Sequence, residues 1–170
     1  LISDMDFPEL REIPTINTKG GILAAEAFAA HRALIAQAGE GYDPRVRRRM
    51  EMAEATSAAD YLGYLARRRE LIRLFAQRFE GLDAVILPTT PNTAPAIAEL
   101  AEDQDYIRLN GMSLRNTTPG NFLNGCAIYL PMHEPGEAPC GLMAMAPWGL
   151  DRSLFGVAQV LEGVLKEVRR

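Results

Sequence analysis

Asn116-Thr117-Thr118-Pro119-Gly120-Asn121-Phe122-Leu123-Asn124-Gly125-Cys126-Ala127-Ile128-Tyr129-Leu130-Pro131 is the stretch whose reading decides the fold. The Thr-Thr-Pro triplet is a helix start, because a threonine hydroxyl can serve free amide hydrogens and proline suits the first turn. Thr118 is the expected cap. Gly125 is the expected stop. Ala127 to Leu130 then forms an apolar run of strand character. The stretch therefore reads as a packed turn, short helix, turn and strand.

Downstream, Met132 to Pro139 carries two prolines and a glycine and reads as a surface loop. Cys140 to Ala146 is a second apolar run. It is expected to pair with Ala127 to Leu130 as an antiparallel hairpin with a long connection. Asp151 is the expected cap of a final helix, with Leu154, Val157, Leu161, Val164 and Val168 as its apolar stripe. Lys166, Arg169 and Arg170 suit the negative end of that helix.

Upstream, Asp83 to Leu87 is continuously apolar, so a strand buried on both faces is expected. It exits into Pro88-Thr89-Thr90-Pro91-Asn92-Thr93-Ala94-Pro95, a stiff loop rich in proline. In open α/β sheets ligands gather beyond the carboxyl ends of strands, which makes this loop a candidate pocket wall. Glu99 to Asp105 reads as a solvated, irregular segment. Three helices are expected before the strand. The first is Ile22 to Ala38, with Leu23, Ala27, Ala30, Leu34 and Ala38 as its stripe. The second is started by Asp43-Pro44. The third is capped by Ser57 with Asp60 three residues on, and carries Tyr61, Leu65, Ile72, Phe75 and Phe79 on its apolar side. Arg67, Arg68 and Arg69 fall mostly on its wet side. A short strand is expected over Arg11 to Ile16. The fold class is α/β, a sheet between helical layers.

Hydrophobic residues make up 48% and charged residues 24% of 170, an ordinary globular composition. The net charge of -4 argues against nucleic acid, which demands a basic face. The chain lacks an apolar run near the roughly 18 residues that span a bilayer, so no membrane partner is expected. It opens Leu1-Ile2-Ser3-Asp4 without Met or a charged-then-apolar leader, which leads us to expect residues upstream and a cytoplasmic location.

Candidate chemistry is sparse. His31 and His133 read as surface or packed histidines, and no Gly-x-Ser-x-Gly elbow surrounds Ser57, Ser113 or Ser153. Cys126, His133 and Cys140 are too widely spaced for zinc and lack a fourth ligand. Cys126 reads as a small buried hydrophobe rather than a disulfide partner of Cys140. Gly20-Gly21 lacks the lysine of a phosphate loop. Neither a catalytic residue, a metal nor a cofactor is expected in this chain. Among Arg45, Arg47, Arg48 and Arg49, one or two at most can face a site, because successive helical residues lie about 100° apart. A guanidinium turned inward would match a carboxylate.

Six stretches in order resemble the amidase signature family: Asp43 to Arg49, Asp60 to Arg69, Leu82 to Pro95, Asn116 to Pro131, Pro139 to Met143, and Asp151 to Phe155. The resemblance covers residues 22–165. It implies the C-terminal part of an α/β/α amidase-signature fold, a mixed sheet flanked by helices, with residues 1–170 as the C-terminal portion of an amidase domain. Such enzymes cleave or transfer linear amides with a serine nucleophile, a second serine on a cis peptide and a lysine base. Those residues lie in a Gly/Ser-rich core that this sequence lacks, so the triad is expected upstream. The resemblance places an arginine among Arg47, Arg48 and Arg49, of which Arg48 is singled out, together with Thr89, Thr118 and Asn121 at the substrate pocket, and implies a small-molecule amide as partner. In the amidase-like subunits of tRNA-dependent amidotransferases an aspartate stands three residues before the Thr-Thr-Pro. Here that residue is Leu114. That departure favours a general amidase over a tRNA-dependent amidotransferase. The remaining alternative is a binding or scaffold module without chemistry. A half-sheet would expose an edge and apolar surface, so self-association is expected.

Overall fold

The computed structural model describes residues 1–17 and 19–168, without the side chain of residue 168. Val168 as a member of the last apolar stripe, and Arg169 and Arg170, therefore lie outside the described residues. The chain divides within one long helix into two units, one of Phe7–Leu71 and one of Leu1–Asp6 with the chain from Ile72 onward.

The first unit is helical. A 3-10 turn over Pro8–Arg11 runs into α1 (Glu12–Ile16), where a strand was expected. Pro14 sits in the first turn of α1, whose amide hydrogens have no helical acceptor anyway, so the proline costs the helix nothing there. Ile13 and Ile16, three apart, are buried together. α2 (Gly21–Ala38) follows. Its expected stripe is not its buried side: Gly21 and Ala24 are buried, while Leu23 and Leu34 are 72% and 51% exposed. The helix is apolar almost all round, so spacing could not choose a face.

α3 (Pro44–Glu51) starts as expected, with Asp43 Oδ1 accepting from the amides of Arg45 at 2.8 Å and Val46 at 3.2 Å. α4 (Ala58–Arg78) opens with the expected capping box. Ser57 Oγ accepts from the Asp60 amide at 3.0 Å, and Asp60 Oδ2 accepts from the Ser57 amide at 3.1 Å. Leu71, Phe75 and Phe79, spaced by four, are its buried line. Arg67 is not on the wet side. It is half-buried and forked onto Glu12.

The second unit holds β1 (Val85–Pro88), α5 (Asp103–Leu114), α6 (Thr117–Phe122), β2 (Cys126–Pro131), β3 (Gly141–Ala146) and α7 (Asp151–Val168). The α/β class holds. The described strands form one sheet in the order β1-β3-β2, antiparallel at both pairings. The expected hairpin is present, with Ile128 opposite Ala144 and Leu130 opposite Leu142. The strand buried on both faces is β3, where Met143 to Ala146 are all buried. β1 alternates instead, with Ile86 37% exposed, because it is an edge strand covered on one face. α7 packs on β2 and β3 through buried Leu154 and Ala158. Its first helical amide bond runs from Leu154 to the Leu150 carbonyl, so Leu150 takes the cap position and Asp151 stands in the first turn. The acidic segment expected to be irregular contains a 3-10 turn, Ile97–Leu100, and the start of α5. Asp103 and Asp105 there favour the positive end of the helix. Only Leu109 of α5 is buried, so its amphipathic signal was faint.

Candidate functional site

Two of the singled-out stretches meet in the second unit. β1 ends at Pro88, and Thr89 continues its antiparallel register onto the first residue of β3. The Thr89 amide donates to the Gly141 carbonyl at 2.9 Å and its Oγ1 donates to the same carbonyl at 3.1 Å. Thr90 Oγ1 donates to the Asn92 carbonyl at 2.8 Å, closing the loop on itself. Asn92 Nδ2 reaches the Thr93 carbonyl and Ser113 Oγ on α5.

On the other side lies the α5–α6 junction. Asn116 occupies the cap position of α6 without a side-chain cap bond. Its Nδ2 donates to the Pro88 carbonyl at 2.7 Å, which ties the junction to the end of β1. Thr118 is not the cap. Its Oγ1 donates back to the Leu114 carbonyl at 2.7 Å, and Thr117 Oγ1 donates to it at 3.2 Å. A threonine inside a helix takes this backward bond when a cap bond is out of reach. Asn121, one turn on, is exposed, and its side chain makes no hydrogen bond among the described residues.

α6 ends in a Schellman motif. The Gly125 amide donates to the Gly120 carbonyl at 2.9 Å and the Asn124 amide to the Asn121 carbonyl at 3.3 Å. The left-handed residue is Asn124, at φ 56°, and not the expected Gly125. Gly125 is needed for room: a Cβ there would stand 2.9 Å from the Ala146 carbonyl oxygen. Gly120 serves the same end, its Cβ position being 3.2 Å from Met145 Sδ. The short helix therefore lies directly on the buried central strand.

Arg48 belongs to the first unit, on α3, and its side chain is exposed. Arg47 of that run turns toward protein: its Nη1 donates to the Gly39 carbonyl at 3.1 Å and its Nε lies 3.4 Å from Glu51. Of the four residues singled out, Thr89, Thr118 and Asn121 lie in the second unit and Arg48 in the first. Asn116, Asn92 and Ser113 were missed. The only sequence signal for Asn116 was an Asn directly before a Thr-Thr-Pro triplet.

A family model for amidases matches residues 4–155. The chain belongs to the amidase family. Among curated relatives, 2-amino-5-chloromuconic acid deaminase of Comamonas testosteroni is 29% identical over 160 residues, 94% of this chain and 35% of that protein. A glutamyl-tRNA(Gln) amidotransferase subunit of Streptomyces coelicolor is 31% identical over 134 residues, 75% of this chain and 26% of that protein. The urea amidolyase of K. lactis superposes with a TM-score of 0.78 at 22% identity, over 91% of this chain and 9% of that one, a likeness of fold. The chain spans about a third or less of the length of the curated relatives it matches.

The remaining candidate groups of this amidase-family chain are occupied locally. His133 Nδ1 donates to the Cys140 carbonyl at 3.2 Å, and His31 is hydrogen-bonded to the Tyr42 hydroxyl at 2.8 Å. Cys126 and Cys140 are both free. Cys126 faces Ala146 while Gly141, next to Cys140, faces Pro131, so the two lie at opposite ends of the hairpin. Burial pushes the Cys126 thiol up, and the nearby Asp151 charge adds to it. Among the described residues no His, Cys, Asp and Glu side chains gather into a metal site, and no described helix is long and apolar enough to cross a membrane.

Proposed function

We propose that these residues are the C-terminal part of an amidase that opens a linear carboxamide by serine nucleophilic catalysis. The serine nucleophile, the second serine and the lysine base then stand upstream of Leu1, and no catalytic group is assigned to this chain. The serine oxygen adds to the amide carbon, the C–N bond breaks with a proton delivered to the leaving nitrogen, and water hydrolyses the acyl-enzyme. The observation that carries the proposal is the family match over residues 4–155. Supporting it is the Asn116–Pro88 hydrogen bond, which brings the end of β1, next to Thr89, to the head of α6, which carries Thr118 and Asn121. Thr89, Thr118, Asn121 and Arg48 are assigned to substrate binding, with Arg48 meeting a substrate carboxylate where one is present. The partner is a small-molecule amide and the site requires no cofactor. A cytoplasmic location and self-association complete the proposal.

A second reading, the amidase-like subunit of a tRNA-dependent amidotransferase, is favoured by the identity to the Streptomyces coelicolor protein. Against it stands Leu114, an apolar, 42% exposed side chain at the end of α5 where such a protein would need a carboxylate to meet an ammonium group.

The test uses the polypeptide as its gene encodes it. A fluorophosphonate probe and ammonia release from a panel of simple aliphatic and aromatic carboxamides are measured together with intact mass. A labelled serine upstream of Leu1 and turnover by the lone polypeptide are expected. A native product of 18.7 kDa without label would sink the proposal. Turnover that requires two further co-purifying subunits would select the second reading.

A further inference from the structure

The end of β1 is held from two sides across one peptide bond. Behind it, Thr89 binds the Gly141 carbonyl through both its amide and its hydroxyl. In front of it, Asn116 Nδ2 donates to the Pro88 carbonyl at 2.7 Å. The Asn116 amide is itself oriented, because Arg115 Nε donates to its Oδ1 at 3.2 Å. An asparagine amide can be turned either way in many settings. Here each end faces a group with a single sense: a guanidinium nitrogen only donates and a peptide carbonyl only accepts. The relay Arg115–Asn116–Pro88 therefore has one direction.

This relay makes no cap bond, although Asn116 stands at the cap of α6 and asparagine is among the best residues for that task. Its side chain is used on the loop instead. The loop it holds is Pro88-Thr89-Thr90-Pro91, whose prolines stiffen it, so a restraint at Pro88 is transmitted along it rather than absorbed. The same junction carries Thr118 and, one turn on, Asn121. The distance between the loop and the polar side of α6 is thus set where Asn116 meets Pro88.

We infer that Asn116 is a positioning residue, which holds the Thr89-Thr90-Pro91 loop against the head of α6 and so sets one wall of the amide-binding site. This rests on the amidase proposal. Asn116 acts through Pro88 and does not touch the substrate. A planar carboxamide has two donors and one acceptor in a plane, so a wall displaced by an ångström loses alignment with it. The expected loss falls on binding rather than on the nucleophile.

The experiment uses the full-length polypeptide with the carboxamide that the wild type turns over fastest. Asn116→Asp keeps the shape and replaces the donor by an oxygen facing a carbonyl. Arg115→Gln leaves Asn116 in place and removes the group that orients it, at an exposed position. In Asn116→Asp, KM is expected to rise on the order of tenfold, with kcat and the fluorophosphonate labelling rate within about twofold of wild type. Arg115→Gln is expected to raise KM by a smaller factor in the same sense. Unchanged KM in both variants overturns the inference while leaving the amidase proposal standing. So does a fall in kcat and labelling with KM unchanged. If Asn116→Asp does not fold, the KM of Arg115→Gln decides by itself. A wild-type polypeptide that neither labels nor releases ammonia overturns the amidase proposal and this inference with it.

Discussion

Arg67 closes its guanidinium on the Glu12 carboxylate, Nε to Oε2 at 2.7 Å and Nη2 to Oε1 at 2.6 Å, across 55 residues of sequence. Its remaining nitrogen, Nη1, reaches Glu70 at 2.6 Å. The fork pins α1 to α4 within the first unit. Only a planar guanidinium can offer two parallel donors to one carboxylate, so a lysine is no substitute. Arg67→Lys is therefore expected to lower the melting temperature nearly as much as Arg67→Ala. A double-mutant cycle with Glu12→Gln in urea checks the contact: additive losses would show that it contributes nothing.

The same contact predicts a pH dependence. Hydrogen bonding and charge from Arg67 hold the Glu12 carboxyl below its ordinary 4.5. The Ser57 hydroxyl and amide, with Lys19 nearby, hold Asp60 below its ordinary 3.8. Both folded values are depressed, so the folded chain binds fewer protons than the unfolded one in that range. Their contribution is complete above the ordinary values and is lost as pH falls through the folded ones. Melting temperature should fall from about pH 5 toward pH 3 and fall less steeply in the Glu12→Gln, Asp60→Asn double variant. Parallel curves for wild type and variant would contradict this. The charged pairs Arg67–Glu12 and Lys19–Asp60 are partly exposed, so their share of the slope should flatten in high salt.

Two glycine-to-alanine changes should act in opposite directions. At Gly125 a methyl group would meet the Ala146 carbonyl at 2.9 Å, a backbone atom of the central strand that cannot step aside. Gly125→Ala is expected to cost about 1–3 kcal/mol in urea unfolding. At Gly156, inside α7 and facing open space, Gly156→Ala is expected to gain roughly 0.5–1 kcal/mol. Equal effects at the two sites would mean that Gly125 is not packed as described.

The two thiols should differ in reactivity. Cys140 is exposed, whereas Cys126 is half-buried, with its thiol directed at the Ala146 and Pro147 carbonyls at 3.6 and 3.4 Å. Burial also holds the Cys126 thiol protonated to higher pH. Iodoacetamide at pH 8 followed by peptide mass analysis should modify Cys140 at least about tenfold faster. Equal rates would require the β2–β3 hairpin to open readily.

The isolated chain is expected to self-associate. Trp148, Phe155 and Val160 are 77%, 65% and 68% exposed, and β1 and β2 are edges of the described sheet. Light scattering over a concentration series measures it. A monodisperse monomer at high concentration would refute it.

Much of the local structure could be read from the chain because its causes are local. Asp43-Pro44 and the Ser57–Asp60 capping box depend on side chains within three or four residues of the backbone groups they serve. The β2–β3 hairpin followed from two apolar runs joined by a proline-rich loop. What spacing could not reach depended on neighbours distant in sequence. The face of α2 was ambiguous because the helix is apolar all round. The choice of β3 as the buried strand depends on the strand order, which places it between β1 and β2. Arg67 left the wet side only because α1 brings Glu12 to it. At the candidate site the sequence by itself determined that Thr89, Thr118 and Asn121 are polar groups on two stiff turns. Only the tertiary structure decided that Asn116 spends its amide on Pro88 instead of capping α6, because a hydrogen bond across 28 residues exists only once β1 and the α5–α6 junction are packed together.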